Sequence, residues 1–166
     1  MVENGFYLLN QSYIDLVQKL GGKYNDNKTR PMFCCIKDVE TEGLYWLIPT
    51  SDYSHRTQIQ KDRINSYIKA KGIKSAFYFV GYTTKDALFK ISNALPVTEK
   101  YISREYVSCG VHLILQDQAQ IIEIRKKLYK ILSYEKLYPN RLEQKITTIR
   151  EYIVNELQQE KEPQNV

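Results

Sequence analysis

The stretch MFCCIKDV-ETEG-LYWLIP, residues 32–49, constrains the fold more than any other. Two runs of β-branched, aromatic and thiol residues flank a TEG turn. Runs of that composition on either side of a short polar turn pair as antiparallel strands and bury most of their side chains. Pro31 favours extended backbone just before the first run, at the end of the polar segment KYNDNKTRP. A chain committed to this hairpin needs further strands beside it and a covering layer. Both are legible. GFYLL (5–9), AFYFVGY (76–82) and ALFKIS (87–92) read as strands, the last two separated by YTTKD. NALPV (93–97) reads as a short strand whose proline suits an edge or exit position.

Helical signals surround these strands. Asn10, Gln11 and Ser12 supply capping side chains for a helix over YIDLVQKL, and Gly21-Gly22 is its stop. Ile59, Ile64 and Ile68 stand loosely at helical spacing. Residues 116–134 carry Ile121, Ile124, Leu128 and Ile131 on one stripe. A second stripe of Leu142, Ile146, Ile149, Ile153 and Leu157 follows Pro139, which suits the first turn of a helix. The SYEKLYPN connection joins the two as a helical hairpin whose apolar stripes bury against the sheet. The predicted class is α+β: a curved antiparallel sheet with an N-terminal helix and a C-terminal helical hairpin, one domain over 1–157, then a polar tail over 158–166.

Composition excludes several alternatives. The chain is 43% hydrophobic and 26% charged, as in ordinary globular proteins. No run approaches the roughly 18 apolar residues of a membrane span, and no secretory signal is visible, so the expectation is a cytoplasmic protein with no membrane partner. Three cysteines, two of them adjacent (Cys34, Cys35, Cys109), are read as buried reduced thiols. Walker, GxGxxG, HExxH and GxSxG motifs are missing, as are Asp/Glu clusters at metal spacing, so the expectation is chemistry with no metal and no cofactor.

The charge is concentrated. From Ser54 to Lys74 the cations Arg56, Lys61, Arg63, Lys69, Lys71 and Lys74 face Asp62 alone, an excess equal to the +5 of the whole chain. A local basic stretch is the electrostatic footprint of a nucleic-acid binder, and it is also what a solvated face looks like. Fourteen tyrosines offer stacking platforms for unpaired bases, Tyr53 and Tyr67 within or beside this stretch, although a tyrosine in a sheet protein is more often core or rim.

Just before the basic stretch, the LYWLIP strand ends in Thr50 and Ser51. If it pairs with MFCCIKDV around the TEG turn, Lys28 and Arg30 approach Thr50-Ser51 across the mouth of the hairpin, and the loop carrying His55 and Arg56 leaves from the same place. One corner then holds hydroxyls, an imidazole and several cations. Such a corner suits cleavage of RNA, whose 2′-OH is its own nucleophile. The protein has only to move two protons and to stabilise the charge on the phosphorane. Dependence on the 2′-OH selects RNA over DNA. The same residues also fit plainer roles: His55 as a solvated loop residue, Thr50-Ser51 as a helix cap, Lys28 and Arg30 as surface charges. His112, in GVHLIL, reads as structural.

The order of these pieces resembles one family. FYLLNQSYIDLVQKL, RPMFCCIKDVETEGLYWLIPTS with its Pro-Thr-Ser strand end, ALFKISNALPV, and the helix containing IRKKLYKIL follow, over most of residues 5–155, the series seen in the toxins of type III toxin–antitoxin systems, the ToxN, AbiQ, CptN and TenpN group. The length and the 54–74 insertion look most like the CptN branch. The resemblance implies a core like that of the MazF and Kid toxin ribonucleases, and a metal-independent, sequence-specific endoribonuclease that leaves a 2′,3′-cyclic phosphate. Its targets would include mRNA, and its role would extend to defence against phage. It also implies a partner: a repetitive RNA antitoxin folded into pseudoknots, cut by the toxin and held in a closed protein–RNA hetero-oligomer. Thr50, Ser51 and a cation before the second strand match the family's active-site positions. The following Asp52-Tyr53-Ser54-His55-Arg56 departs from it, so Lys28, Arg30, Arg56 or Lys61 fits the cation's role. His55 as acid or base comes from the residues alone. Arg56, Lys61, Arg63, Lys69, Lys71, Lys37, Tyr53 and Tyr67 are the expected RNA contacts. A non-catalytic RNA-binding module, or a MazF-like toxin with a protein antitoxin, are the rival readings.

Overall fold

A computed structural model describes residues 1–24 and 30–161. Lys28 and the last five residues of the expected tail lie outside them. The chain forms β1 (Phe6–Leu9), α1 (Gln11–Lys19), β2 (Met32–Lys37), β3 (Tyr45–Asp52), α2 (Gln58–Ile68), β4 (Tyr78–Tyr82), β5 (Asp86–Lys90), β6 (Leu95–Val97), β7 (Ile102–Glu105), the small pair β8 (Val107–Ser108) and β9 (Val111–His112), α3 (Gln118–Leu137) and α4 (Ile146–Lys161). The class is α+β around a curved antiparallel sheet in the order β4-β5-β3-β2-β1-β7.

The expected hairpin is there. Met32 pairs with Pro49 and Lys37 with Tyr45, so the start of β2 lies beside the end of β3. Beyond Pro49, β3 continues to Asp52 because it changes partner. Its first half pairs with β6 (Tyr45 to Leu47), and its last three residues pair with β5. Pro49, lacking an N–H, sits where neither β6 nor β5 needs one.

Alternation along the strands shows why the runs are apolar without a break. Phe6, Phe33, Trp46, Ile48 and Phe89 point into one core, together with Ile121, Ile124, Leu128 and Ile131 of α3. Tyr7, Met32, Cys34, Tyr45 and Leu47 point into another, against Tyr13, Ile14 and Val17 of α1 and Ile149 and Ile153 of α4. Both faces of the sheet are therefore covered, and every position in a central strand has an apolar place to go. Full burial of each such side chain contributes roughly 1.5–3 kcal/mol. The two long helices each bury their stripe against the sheet, as the periodicity predicts: α3 lies in the first core, and α4 shares it through Ile146 before Ile149 and Ile153 enter the second.

Other differences have local causes. The last helix opens at Ile146 rather than near Pro139, because Asn140 and Lys145 take left-handed backbone (φ 57° and 54°) and break the helix between them. Leu142 is buried from that connection rather than from a helix. The helix then runs to Lys161, four residues into the segment expected to be tail. Strands β7–β9 have no apolar run of their own in the sequence. β7 is held by β1, with Tyr7 opposite Glu105, a pairing that its own exposed, polar sequence does not announce. β8 and β9 are joined by Cys109-Gly110, both left-handed (φ 51° and 80°), as a two-residue hairpin turn demands. Cys109 is consequently exposed, whereas Cys34 and Cys35 are buried thiols whose pKa burial pushes up to about 12. His112 is structural: its Nε2 lies 3.0 Å from the Phe6 carbonyl, and its ring packs edge-on to Tyr7. No described helix is long and apolar enough to cross a membrane.

Candidate active site

The ends of β2, β3 and β5 enclose a cavity of about 370 Å³. Arg30, Thr50, Ser51 and Arg56 line it, as the hairpin geometry predicts. So do Asp52, Lys85 and Asp86, with Phe6 and Tyr106 behind them. The hairpin alone does not bring Lys85 and Asp86 here. The register explains why they arrive: Ser51 sits opposite Leu88 and Asp52 opposite Ala87, so the β4–β5 turn is folded over the end of β3. The only cue was a lysine and an aspartate in the YTTKD turn.

Thr50 and Ser51 do different things. Thr50 is 4% exposed, and its hydroxyl donates to the Pro31 carbonyl at 2.7 Å while its N–H donates to the same oxygen at 3.1 Å. It locks the two strand ends together and presents no free proton to the cavity. Ser51 accepts a hydrogen bond from Arg56 Nη2 at 2.8 Å, so its own O–H is left to donate. Neither caps the next helix. Thr57 does, in a reciprocal capping box with Gln60.

A short turn makes the Arg56 contact. Asp52 accepts the Ser54 N–H at 2.8 Å, and the Arg56 N–H bonds the Tyr53 carbonyl at 3.2 Å, folding residues 52–56 back over Ser51. Asp52 is also the hub of the charges. Its Oδ2 lies 2.5 Å from Lys85 Nζ and 3.6 Å from His55 Nε2. The Lys85 hydrogen bond, helped by Ser54, holds the Asp52 carboxyl well below the usual range, and the same bond raises the Lys85 pKa. Three cations thus stand round the cavity with two carboxylates. Asp52 binds Lys85, and Arg56 is the cation held directly on Ser51.

His55 does not line the cavity. Its side chain is 87% exposed, and it stands on the rim beside Asp52. Lys61 reaches back to the corner and places its ammonium 5.3 Å from the Tyr53 ring centre, a cation–π contact. Arg63, Lys69 and Lys71 are exposed on and after α2. That helix buries only Ile64 and leaves Ile59 82% exposed. Tyr67 is engaged within the protein, stacked on Phe77 at 5.7 Å and edge-on to Tyr78, so it holds α2 on β4 rather than standing free for a base. Lys37 lies at the opposite end of the hairpin, over Tyr45. Among the described residues, no group of three His, Cys, Asp or Glu converges as metal ligands do.

No protein-family model matches the chain, and no curated protein does. Among solved structures, it is similar to an endoribonuclease in complex with its cognate antitoxin from a mycobacterial species. There the TM-score is 0.44 and the identity 9%, over 80% of this chain and 95% of that one. It is also similar to a chain from a structure described as "A processed non-coding RNA regulates a bacterial antiviral system". There the TM-score is 0.42 and the identity 14%, over 96% of this chain and 90% of that one. Neither likeness bears on the residues of the corner.

Proposed function

We propose that the protein is a metal-independent endoribonuclease acting at the Ser51 corner. The observation that carries this reading is the Arg56–Ser51 contact inside a cavity also lined by Arg30 and Lys85. A serine that accepts from a guanidinium keeps its proton for an anionic oxygen. The cations around it then match the charge that grows on a phosphorane.

In this reading the ribose 2′-oxygen attacks the adjacent phosphorus and the bond to the 5′-oxygen breaks, leaving a 2′,3′-cyclic phosphate and a 5′-hydroxyl. Ser51 and Arg56 donate to the non-bridging oxygens, and Arg30 balances the charge. Thr50, committed to Pro31, positions Ser51 and does not touch the phosphate. His55, oriented from the rim by Asp52, takes the proton of the 2′-OH as the oxygen attacks and returns it to the leaving 5′-oxygen. Lys61 and Tyr53 hold the strand beside the scissile step, and the exposed cations of α2 guide the RNA towards it. Together with the sequence resemblance, this supports a toxin restrained by a repetitive pseudoknot RNA that it also processes.

The test is incubation of the purified protein with RNA in EDTA, with end analysis of the products. Cleavage to 2′,3′-cyclic ends, lost in Ser51→Ala while RNA binding persists, is the expected result. RNA binding without cleavage by the wild type leaves the non-catalytic module standing and sinks the enzyme. Short tandem repeats in the adjoining DNA are expected for an RNA antitoxin; a small acidic reading frame there points to a protein one.

A further inference from the structure

Phosphate chemistry accounts for only part of the cavity at the Ser51 corner. Beside the hydroxyl and the cations, Phe6, Pro31, Ala87, Tyr106 and Leu113 give it an apolar wall. A phosphate oxygen laid against such a wall loses its hydrogen bonds to water and gains none. The volume, about 370 Å³, is that of a small-molecule pocket rather than of an anion site alone. A wall of this kind next to an anion site fits a ligand with both characters, a flat and largely apolar body joined to a phosphate.

The wall is held in shape before any ligand arrives. Phe6 donates its N–H to the Leu113 carbonyl at 3.0 Å, Leu113 to the Tyr106 carbonyl at 2.9 Å, and Tyr106 to the Phe6 carbonyl at 2.8 Å. Three wall residues are thus tied in a closed ring of backbone hydrogen bonds, and His112 Nε2 stands 3.0 Å from the same Phe6 carbonyl. None of these bonds uses the side chain of Tyr106 or Leu113, and both residues are half-buried on the lining. A surface fixed in this way loses little freedom on binding. The Tyr106 hydroxyl, and the N–H and hydroxyl of Thr84 on the same lining, make no hydrogen bond among the described residues. They are available to the polar edge of such a ligand.

We propose that the wall is a nucleobase pocket: the ribonucleotide whose phosphate is held at Ser51 packs its base against Tyr106 and Leu113, and these two residues set which base is accepted at the cut. Of the tyrosines expected to stack on bases, Tyr67 is spent on Phe77 and Tyr53 lies outside the cavity lining, whereas Tyr106 is on it. The inference rests on the reading of the Ser51 corner as the phosphate site.

The probes are the four nucleoside 3′-monophosphates, each titrated calorimetrically into the full chain, against the corresponding sugar phosphate without a base. At least one nucleotide is expected to bind about tenfold or more tightly than the abasic compound, as packing of a base on an aromatic side chain gives. Tyr106→Ala removes that advantage and leaves the abasic affinity unchanged, and Tyr106→Phe keeps it. Tyr106 is tied into the wall by its backbone, so its side chain can be replaced without breaking the ring of bonds, which far-UV circular dichroism checks. Equal affinity for nucleotide and abasic phosphate, or an advantage that survives Tyr106→Ala, overturns the pocket. Base-dependent binding without cleavage in EDTA sinks the ribonuclease and leaves the pocket; cleavage without base-dependent binding does the reverse.

Discussion

The β2–β3 hairpin carries an aspartate near each end, and the two are used in opposite ways. At the turn, the side chain of Asp38 is 8% exposed and accepts from the Trp46 indole, from two backbone N–H groups and from Arg150. Burial pushes its pKa up, yet the indole, the guanidinium and the backbone donors outweigh that and hold the carboxyl below its ordinary value. At the other end, Asp52 is held lower still, mainly by Lys85, a side chain that is itself 61% exposed. The first network is closed: its donors belong to the fold, and Arg150 shares itself only with the neighbouring Glu40 and Thr41. The second is open, because a lysine on a turn and an arginine on a serine can exchange these partners for a phosphate. A polar group with fixed partners builds structure, and one with replaceable partners is available for work.

Several substitutions test that contrast. Arg56→Ala has the largest expected effect: RNA cleavage falls on the order of 10²–10³-fold, while the unfolding midpoint in urea hardly moves. A comparable loss of stability would place Arg56 with the closed networks and break the comparison. Asp38→Ala works the other way. It leaves the indole N–H and two backbone N–H groups without their acceptor, while Arg150 keeps Glu40, and costs about 2–3 kcal/mol of stability by denaturant titration, with cleavage per folded molecule unchanged. Thr50→Val lies between. Losing the hydroxyl's bond to Pro31 costs about 1 kcal/mol, and activity falls less than in Ser51→Ala because the residue only positions its neighbour.

The smallest effect is on pH dependence. Both aspartates titrate below the ordinary carboxylate value, so the stability they add is in place above the unfolded pKa of about 4 and is lost as pH falls through their folded values. Asp38→Asn is expected to flatten the acid limb of the stability curve visibly. Asp52→Asn, whose main partner Lys85 stands in solvent and salt, should leave it nearly as it was. The reverse order would mean that the open pair carries the structural load.

Much of this was legible in the residues. The hairpin, α1 and the two C-terminal apolar stripes announce themselves through unbroken apolar runs, a capping asparagine and regular spacing. The Thr50–Ser51–Arg56 side of the corner followed from the pairing of one local hairpin. Lys85 and Asp86 did not, since only the β3–β5 register brings them over the cavity. The double-sided burial was hidden for a related reason: in a strand apolar at every position, nothing in the pattern says whether one face or both are covered. β7 depends on β1 for its pairing, and an exposed ISRE segment has no hydrophobic signal of its own.

That last pairing sets a timetable. Phe6 forms part of the wall behind Ser51, but Tyr106 and Leu113 complete it, and both are tied through backbone bonds to Phe6 or its neighbours. During translation the hydroxyls and guanidinium of the corner leave the ribosome long before that wall can close. A nascent chain therefore has no complete wall around this cavity until Leu113 has emerged.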